Sequence, residues 1–449
     1  MYFSKQKILA MKIIAWVVII FVFVCCKHEH NTYLGLSTSA IETAANNHLN
    51  IWYPNLIDSI NGGYFTNFEY NWQTSDNQDK MLVTQARGLW TAAKAANTFT
   101  NNQHYLNAAQ HGFHFLTTTL WNNHFGGFKL NYKIDHPNEN EDYNLIYANA
   151  FALFALAEYA KTNLQPDALQ WAIKTFNWID SIAYDTENKG YFNLVYYNKD
   201  TINNNNVFGW NNPNWKDQNT SIHILEAYTT FYQIYPNDKV RKRLEEMLLL
   251  IRDTMVQADG SLKLFFTSNW QAINHSDSSR NFIIENQEYD HISFGHNIET
   301  AYLLIDASKT LYQHVDSTTL KVAKQLCDHT LKHGFDQNFY GLFNRAYDFD
   351  QNGNIEIIDN KKDWWAQYEA WHTLALMLQY FPENEQYNEA FISMWNYINN
   401  KVLDPEYGGC FNCGIDTAPD NTKRRKAHAW KGPYHDGRAL MLTWQYANN

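Results

Sequence analysis

Six stretches of the chain place small and apolar residues nearly all round a helical projection. They are LVTQARGLWTAAKAANTF from Leu82, LIYANAFALFALAEYAK from Leu145, TSIHILEAYTTFYQIY from Thr220, NIETAYLLIDASKTLYQ from Asn297, WAQYEAWHTLALMLQYF from Trp365 and DGRALMLTWQYA from Asp436. A helix without a polar face is buried on several sides. Between them lie more amphipathic stretches, such as RKRLEEMLLLIRDTM from Arg241, which read as outer helices. Ahead of each buried stretch stands a glycine followed by aromatic or bulky residues, at Gly63, Gly127, Gly190, Gly260, Gly341 and Gly409. Glycine supplies the positive φ of a tight turn, so each motif predicts a short hairpin. The unit recurs at a period of about 60 to 80 residues, and such a period takes precedence over local readings. One buried and one outer helix, six times over, predicts an all-α (α/α)6 barrel, a toroid with short β-hairpins at one rim. No Pro- or Ser-rich linker follows residue 40, so residues 41–449 read as one domain.

The start of the chain follows another pattern. Lys5, Lys7 and Lys12 precede an apolar run from Ile13 to Val24, which ends at Cys25 and Cys26. The run is short for a membrane span and suits a signal-peptide core. A cysteine directly after such a core resembles the bacterial lipoprotein signal. Residues 1–26 are therefore expected to be a signal peptide with Cys25 as the lipidation site, and 27–40 a short tether. An uncleaved N-terminal anchor is the alternative. Both readings tether the folded part to a membrane outside the cytoplasm, in the cell envelope. The remaining cysteines are Cys327, Cys410 and Cys413. A C-x-x-C pair without a second pair does not make a structural zinc site, so these read as packing residues.

Composition narrows the class further. A net charge of -11 with no long basic run argues against nucleic acid as a partner. Aromatics are 16% of the chain, which serves core packing and also leaves rings to stack on sugars.

Polar residues inside buried helices are costly unless something uses them. Here they gather near the N-terminal ends: Arg87 in the first, Tyr147 and Asn149 in the second, Asn219 and His223 in the third. His296 and Glu299 follow in the fourth, Trp364, Trp365 and Glu369 in the fifth, and His435 and Arg438 in the sixth. In a toroid these ends meet at one mouth, with the positive ends of the helix dipoles facing into it. His223-x-x-Glu226 and His296-x-x-Glu299 share a spacing that puts both members on one helical face. A carboxylate there can hold one ring nitrogen and raise the basicity of the other, which describes a tuned acid/base histidine. Metal binding by such pairs would need further carboxylates at matching positions, and none is seen, so no metal is expected. His104, His111, His114 and His372 lack this placement and read as structural or surface residues. Trp365 and Trp430, and less strongly Trp364, read either as core or as platforms for a sugar ring.

The motifs QARGLW, YANAFALFALAEYA, DQNTSIHILEAY, FGHNIETAYLL, DWWAQYEA and WKGPYHDGRA occur in this order over nearly all the chain after residue 40. Together they resemble the N-acylglucosamine 2-epimerase family, and within it the cellobiose and mannobiose 2-epimerase branch. The resemblance implies an (α/α)6 barrel and a cofactor-independent isomerase that inverts C2 of a reducing-end sugar. It implies Arg87 as the group steadying an enediolate, His223 as the group near C1 and O1, and Asn219 as its polar neighbour. His296 and His435 match the two acid/base histidines, Glu299 the carboxylate orienting the first, and Trp365 and Trp430 the aromatic platforms. Tyr147, Trp364, Glu226 and Glu369 are expected against the substrate, a mono- or disaccharide. The chain departs from the family pattern at Asn297, where an aspartate is usual, and in its export signal.

The chemistry fits these residue types. A histidine removes the proton beside a carbonyl and another returns one to the opposite face, because imidazole titrates near neutrality. The oxyanion between needs preorganised positive donors, which Arg87 and His223 supply. Three rival readings share parts of this pattern. An aldose–ketose isomerase uses the same enediolate. A glycan hydrolase or lyase on the same toroid needs a pair of carboxylates, for which Glu226, Glu299 and Glu369 are the candidates. A glycan-binding lipoprotein would keep the aromatic rings without needing the histidines.

Overall fold

A computed structural model of the chain describes residues 32–99, 103–139, 141–162, 166–197 and 211–448. Among these residues the helices in chain order are α1 (Thr38–Trp52), α2 (Leu82–Thr98), α3 (Gln103–Phe115), α4 (Ile146–Ala160), α5 (Pro166–Ile182), α6 (Gln218–Ile234) and α7 (Asp238–Leu250). Then come the short α8 (Arg280–Glu285), α9 (Phe294–Tyr312), α10 (Ser317–His333), α11 (Trp364–Tyr380), α12 (Glu385–Tyr397) and α13 (Tyr434–Asn448). Helices α2, α4, α6, α9, α11 and α13 each pack on the next, and α13 packs back on α2. That closed inner ring, wrapped by α1, α3, α5, α7, α10 and α12, is the (α/α)6 barrel. None of the described helices is long and apolar enough to cross a membrane.

The two rings differ as their sequences require. Every residue of α4 from Ile146 to Tyr159 is buried, with neighbours on both sides and behind. In contrast, α7 buries Val240, Leu244, Met247 and Leu248, a single stripe at helical spacing, and turns its charges outward. The first described residues are part of this wrapping. Thr32–Tyr33 pairs with Leu36–Ser37, Tyr33 donates its hydroxyl to the Ala375 carbonyl, and its ring meets Phe391 edge-on. The segment expected to be a tether is thus folded from Thr32 onward, because Tyr33 and Leu36 find apolar partners on the outer surface. Residues 1–31, with Cys25, lie outside the described residues.

The six glycine motifs all form a tight loop after an outer helix, the fourth one residue shorter than the others. A single antiparallel bridge closes each, at Ile57–Tyr64, Trp121–Phe128, Tyr184–Tyr191, Val256–Leu262, Phe335–Leu342 and Leu403–Cys410. Gly127 shows why the residue must be glycine: its φ is +72°, and a Cβ there would lie 2.4 Å from the Trp178 ring. Beyond the loops, the strand entering one inner helix pairs with a strand from the next repeat. Examples are Tyr143–Leu145 with Leu194–Tyr196 and Trp215–Asp217 with Phe265–Thr267. These small sheets tie neighbouring repeats at the rim.

Buried ion pairs lock the loops to the strands. Lys80 meets Asp58 at 2.6 Å, Lys216 meets Asp185 at 2.7 Å and Lys362 meets Asp336 at 2.9 Å; Lys426 pairs with Asp404. In the two other repeats the loop position holds Asn122 or Gln257, and the strand position holds Asn144 or Ile292. Acid and lysine are lost together, since either one alone would be an uncompensated buried charge. Replacing Lys216 with Met is expected to cost about 3–5 kcal/mol in urea denaturation. The double variant Lys216→Met/Asp185→Asn is expected to recover a large part of that loss.

Candidate active site

The N-terminal turns of the inner helices converge on a cavity of about 530 Å³. Of the residues picked out in the sequence, Arg87, Tyr147, Asn219, His223, His296, Glu299, Trp364, Trp365, Trp430 and His435 line it. Glu226 and Glu369 do not. Both lie behind the wall, where they hold other side chains, so the expectation that they touch substrate is corrected. Asn149 is also structural: its Oδ1 accepts the Phe128 backbone N–H of a glycine loop. A second hollow of about 470 Å³ lies at the other end of α6 and α9, and no histidine lines it.

The floor of the cavity is organised by Arg438, which is fully buried in the first turn of α13. Its guanidinium donates to Glu226 of α6, to Glu299 of α9 at 2.5 Å and to Glu369 of α11 at 2.6 Å. Three carboxylates from three consecutive inner helices therefore share one cation. Burial by itself would raise the Glu369 carboxyl. The Arg438 charge and hydrogen bonds from His372 and His435 instead hold it well below the usual carboxylate range. Glu226 is held down in the same way, by Arg438 first and then by His223. Glu299, Glu369 and His435 come close enough together to suggest a cation site. The cation between the two carboxylates is the Arg438 guanidinium, which occupies that space.

The carboxylates in turn set the histidines. The His223 Nδ1 lies 2.9 Å from Glu226, and the His435 Nδ1 lies 2.7 Å from Glu369. An ionised carboxylate only accepts, so both rings carry the proton on Nδ1, and Nε2 is the nitrogen left for chemistry. The expected His296–Glu299 bond is not made. His296 Nδ1 instead meets the Ser293 hydroxyl at 2.8 Å. Glu299 is turned to Arg438, and a charge-assisted bond outcompetes one to a neutral ring. The rings of His296 and His435 both face the Trp365 indole, at centroid distances of 4.9 and 5.6 Å. Burial, reinforced by His223 and Arg345, pushes His296 down to about 3. Burial also lowers His435, to about 4, against the opposing pull of Glu369.

The opposite wall is built around Arg87. It donates to the Tyr147 hydroxyl at 3.1 Å and to the Trp430 carbonyl at 3.2 Å, and its guanidinium lies 4.4 Å from the Phe151 ring centre. Trp430 projects from a two-residue turn closed by a bridge between His428 and Lys431, and its ring is 42% exposed. Trp364 is buried, edge-on to His428 and His435. Asn219 contributes a buried Oδ1 with no partner among the described residues.

Some members of the site were not recognisable from sequence. His372, read there as structural without a role, holds the second oxygen of Glu369 at 2.8 Å. Its i,i+3 spacing from Glu369 was the available signal. Ser293, Arg345, Asp217, His291 and His428 also line the cavity. They are brought in by strands and loops rather than by the inner helices, and nothing in their local sequence marks them.

His296, His435, His291 and His428 all have depressed values, about 3 for the first and about 4 for the others. An unfolded histidine titrates near 6.5, so between those values the unfolded chain binds more protons than the folded one. Stability is therefore expected to fall as pH drops from 6.5 towards 4. Urea midpoints at pH 7 and pH 5 measure this, and His296→Asn is expected to show the smaller drop.

Comparison with known proteins agrees with this architecture. The family model of N-acylglucosamine 2-epimerase matches residues 63–436. A cellobiose 2-epimerase from Bacteroides fragilis is 26% identical over 398 residues, covering 87% of this chain and 94% of that protein. The structure of the cellobiose 2-epimerase from Bacillus thermoamylovorans B4167 superposes with a TM-score of 0.77 at 24% identity, over 91% of this chain and 99% of that one. A D-mannose isomerase structure shares the fold, with a TM-score of 0.77 at 22% identity over 91% and 97% of the two chains. This chain belongs to the N-acylglucosamine 2-epimerase family and is an isomerase, a sugar 2-epimerase.

Proposed function

We propose that the enzyme inverts C2 of the reducing-end sugar of a cellobiose- or mannobiose-type disaccharide, or of an N-acylglucosamine, through a cis-enediolate. The observation that carries this reading is the placement of His296 and His435 against one indole, with Arg87 and His223 lining the same cavity. Ring opening breaks the C1–O5 bond, moves the O1 proton to O5 and leaves an aldehyde at C1. A base then takes the C2 proton, and the electron pair moves through C1 onto O1. Arg87 provides donors for that oxyanion, and His223 adds one from Nε2 in its doubly protonated form, with Glu226 holding Nδ1–H. A proton delivered to the other face of C2 completes the inversion.

The donor must be an imidazolium. Burial disfavours that form at both rings, but His435 has Glu369 behind it, whereas His296 has only the Ser293 hydroxyl. His435 is accordingly assigned as the donor and His296 as the base for one direction of a reversible reaction. The two residues exchange roles in the other direction. Trp365 and Trp430 are the platforms that hold the sugar between them.

NMR in D2O with cellobiose, mannobiose, glucose, mannose and N-acetylglucosamine tests the reading. Deuterium at C2 together with the C2 epimer is the expected result. His296→Asn and His435→Asn are each expected to lower the rate by about 10²- to 10⁴-fold. A ketose product would select the isomerase reading, and absence of C2 exchange with every sugar would remove the histidine assignments.

The location follows from the sequence reading. Export and lipidation at Cys25 would tether the barrel in the cell envelope, with Thr32 the first described residue after the link. Labelled palmitate is expected to be incorporated in bacterial cells and lost in Cys25→Ser. Labelling that survives there but is lost in Cys26→Ser would move the site by one residue.

A further inference from the structure

One buried acid of the last motif takes no part in the chemistry above. Asp436 follows His435 directly, is 1% exposed, and meets only the weak donor Cys410 Sγ besides the groups named below. Such a group is costly unless a charge or a proton compensates it. A histidine of the outer ring lies against it. His48 of α1, itself 6% exposed, puts Nδ1 3.4 Å from Asp436 Oδ2 and Nε2 3.2 Å from the Pro433 carbonyl.

Donor and acceptor chemistry fixes the proton count at this pair. The Pro433 carbonyl can only accept, so Nε2 of His48 must carry a hydrogen. A neutral His48 would then aim the bare lone pair of Nδ1 at a carboxylate oxygen, which repels it. At 3.4 Å the contact is longer than a hydrogen bond, and a proton shared by Nδ1 and Oδ2 would turn that repulsion into attraction. The other titratable groups facing Asp436 are Lys431 of the Trp430 turn, Cys410 of the sixth glycine loop and Tyr368 of α11. The lysine favours the carboxylate anion, which assigns the proton to His48. The imidazolium then grips the Pro433 carbonyl and the Asp436 carboxylate together. Between them stand Tyr434, whose hydroxyl donates to Glu226 at 2.8 Å, and His435.

The geometry points to His48 and Asp436 as positioning residues that share one proton and so hold the turn presenting His435 to the cavity. This rests on the assignment of His435 as an acid/base group. Loss of the proton at alkaline pH turns the grip into repulsion and releases the turn.

The test uses the full chain with cellobiose in D2O, reading kcat and KM for C2 exchange against pH, together with the 15N spectrum of labelled histidines. The wild type is expected to lose kcat on an alkaline limb. In Asp436→Asn the amide Nδ2 donates to a neutral Nδ1, so no shared proton is needed. That variant is expected to keep kcat at pH 7 within about threefold and to lose the alkaline limb. His48→Phe is expected to lose about tenfold or more in kcat with little change in KM. The His48 signals of the wild type at pH 7 are expected to show both nitrogens protonated, a readout that needs no turnover. If His48 is doubly protonated and no sugar exchanges, the shared proton stands and the His435 assignment fails. A His48 with one bare nitrogen beside an ionised Asp436 would overturn the proposal. So would an alkaline limb unchanged in Asp436→Asn.

Discussion

A buried guanidinium with three carboxylates around it is the interaction on which the rest of this site depends. Arg438 has no access to solvent, and a lone charge in that position would be prohibitive. One carboxylate would balance that charge; three bind it, Glu226, Glu299 and Glu369 from α6, α9 and α11, and so leave an excess of carboxylate on the floor. The sixth inner helix is thereby bound to three others at the level of the cavity floor. The carboxylate oxygens then carry the order outward, since Glu226 fixes the tautomer of His223 and Glu369 fixes that of His435. Removing the arginine would leave three anions facing one another, so stability and chemical competence are tied to the same group.

The barrel supplies the surroundings that such a cluster needs. Six buried helix N-termini point at one mouth, and their dipoles favour negative charge there. An enediolate, like the excess carboxylate on the floor, gains from that field. The same apolar packing that closes the ring also strips water from His296 and His435, which disfavours the imidazolium form of each, less so at His435 where Glu369 opposes it. At the rim, Lys–Asp pairs hold the strands from which the inner helices start. Where the acid is replaced by Asn122 or Gln257 the lysine is gone as well, so the repeats conserve charge neutrality rather than residue identity.

The outer ring also reaches the chemistry. His48 belongs to the first described helix, yet it touches the turn that carries His435 in the last one. Ring closure brings α1 onto α13, so the first and last described helices meet behind the cavity. In this way a residue nearly four hundred positions away in the chain can control how an acid/base group is presented.

The sequence by itself determined the architecture and the membership of most of the wall. A sixfold period of buried and amphipathic helices admits few closed forms, and polar residues at the starts of apolar helices must face a common opening. Arg87, His223, His296, Trp365 and His435 were legible for that reason, and the His223–Glu226 bond followed from its spacing. Only the tertiary structure decided which acid serves which base. His296 and Glu299 have the same spacing as His223 and Glu226, but Arg438, distant in sequence, claims Glu299 and leaves His296 to Ser293. His435 takes Glu369 from another helix, and His372 takes the remaining oxygen. Spacing along one helix says which side chains can meet; competition among partners folded in from elsewhere says which do, because a buried charge binds whichever opposite charge the whole fold brings nearest.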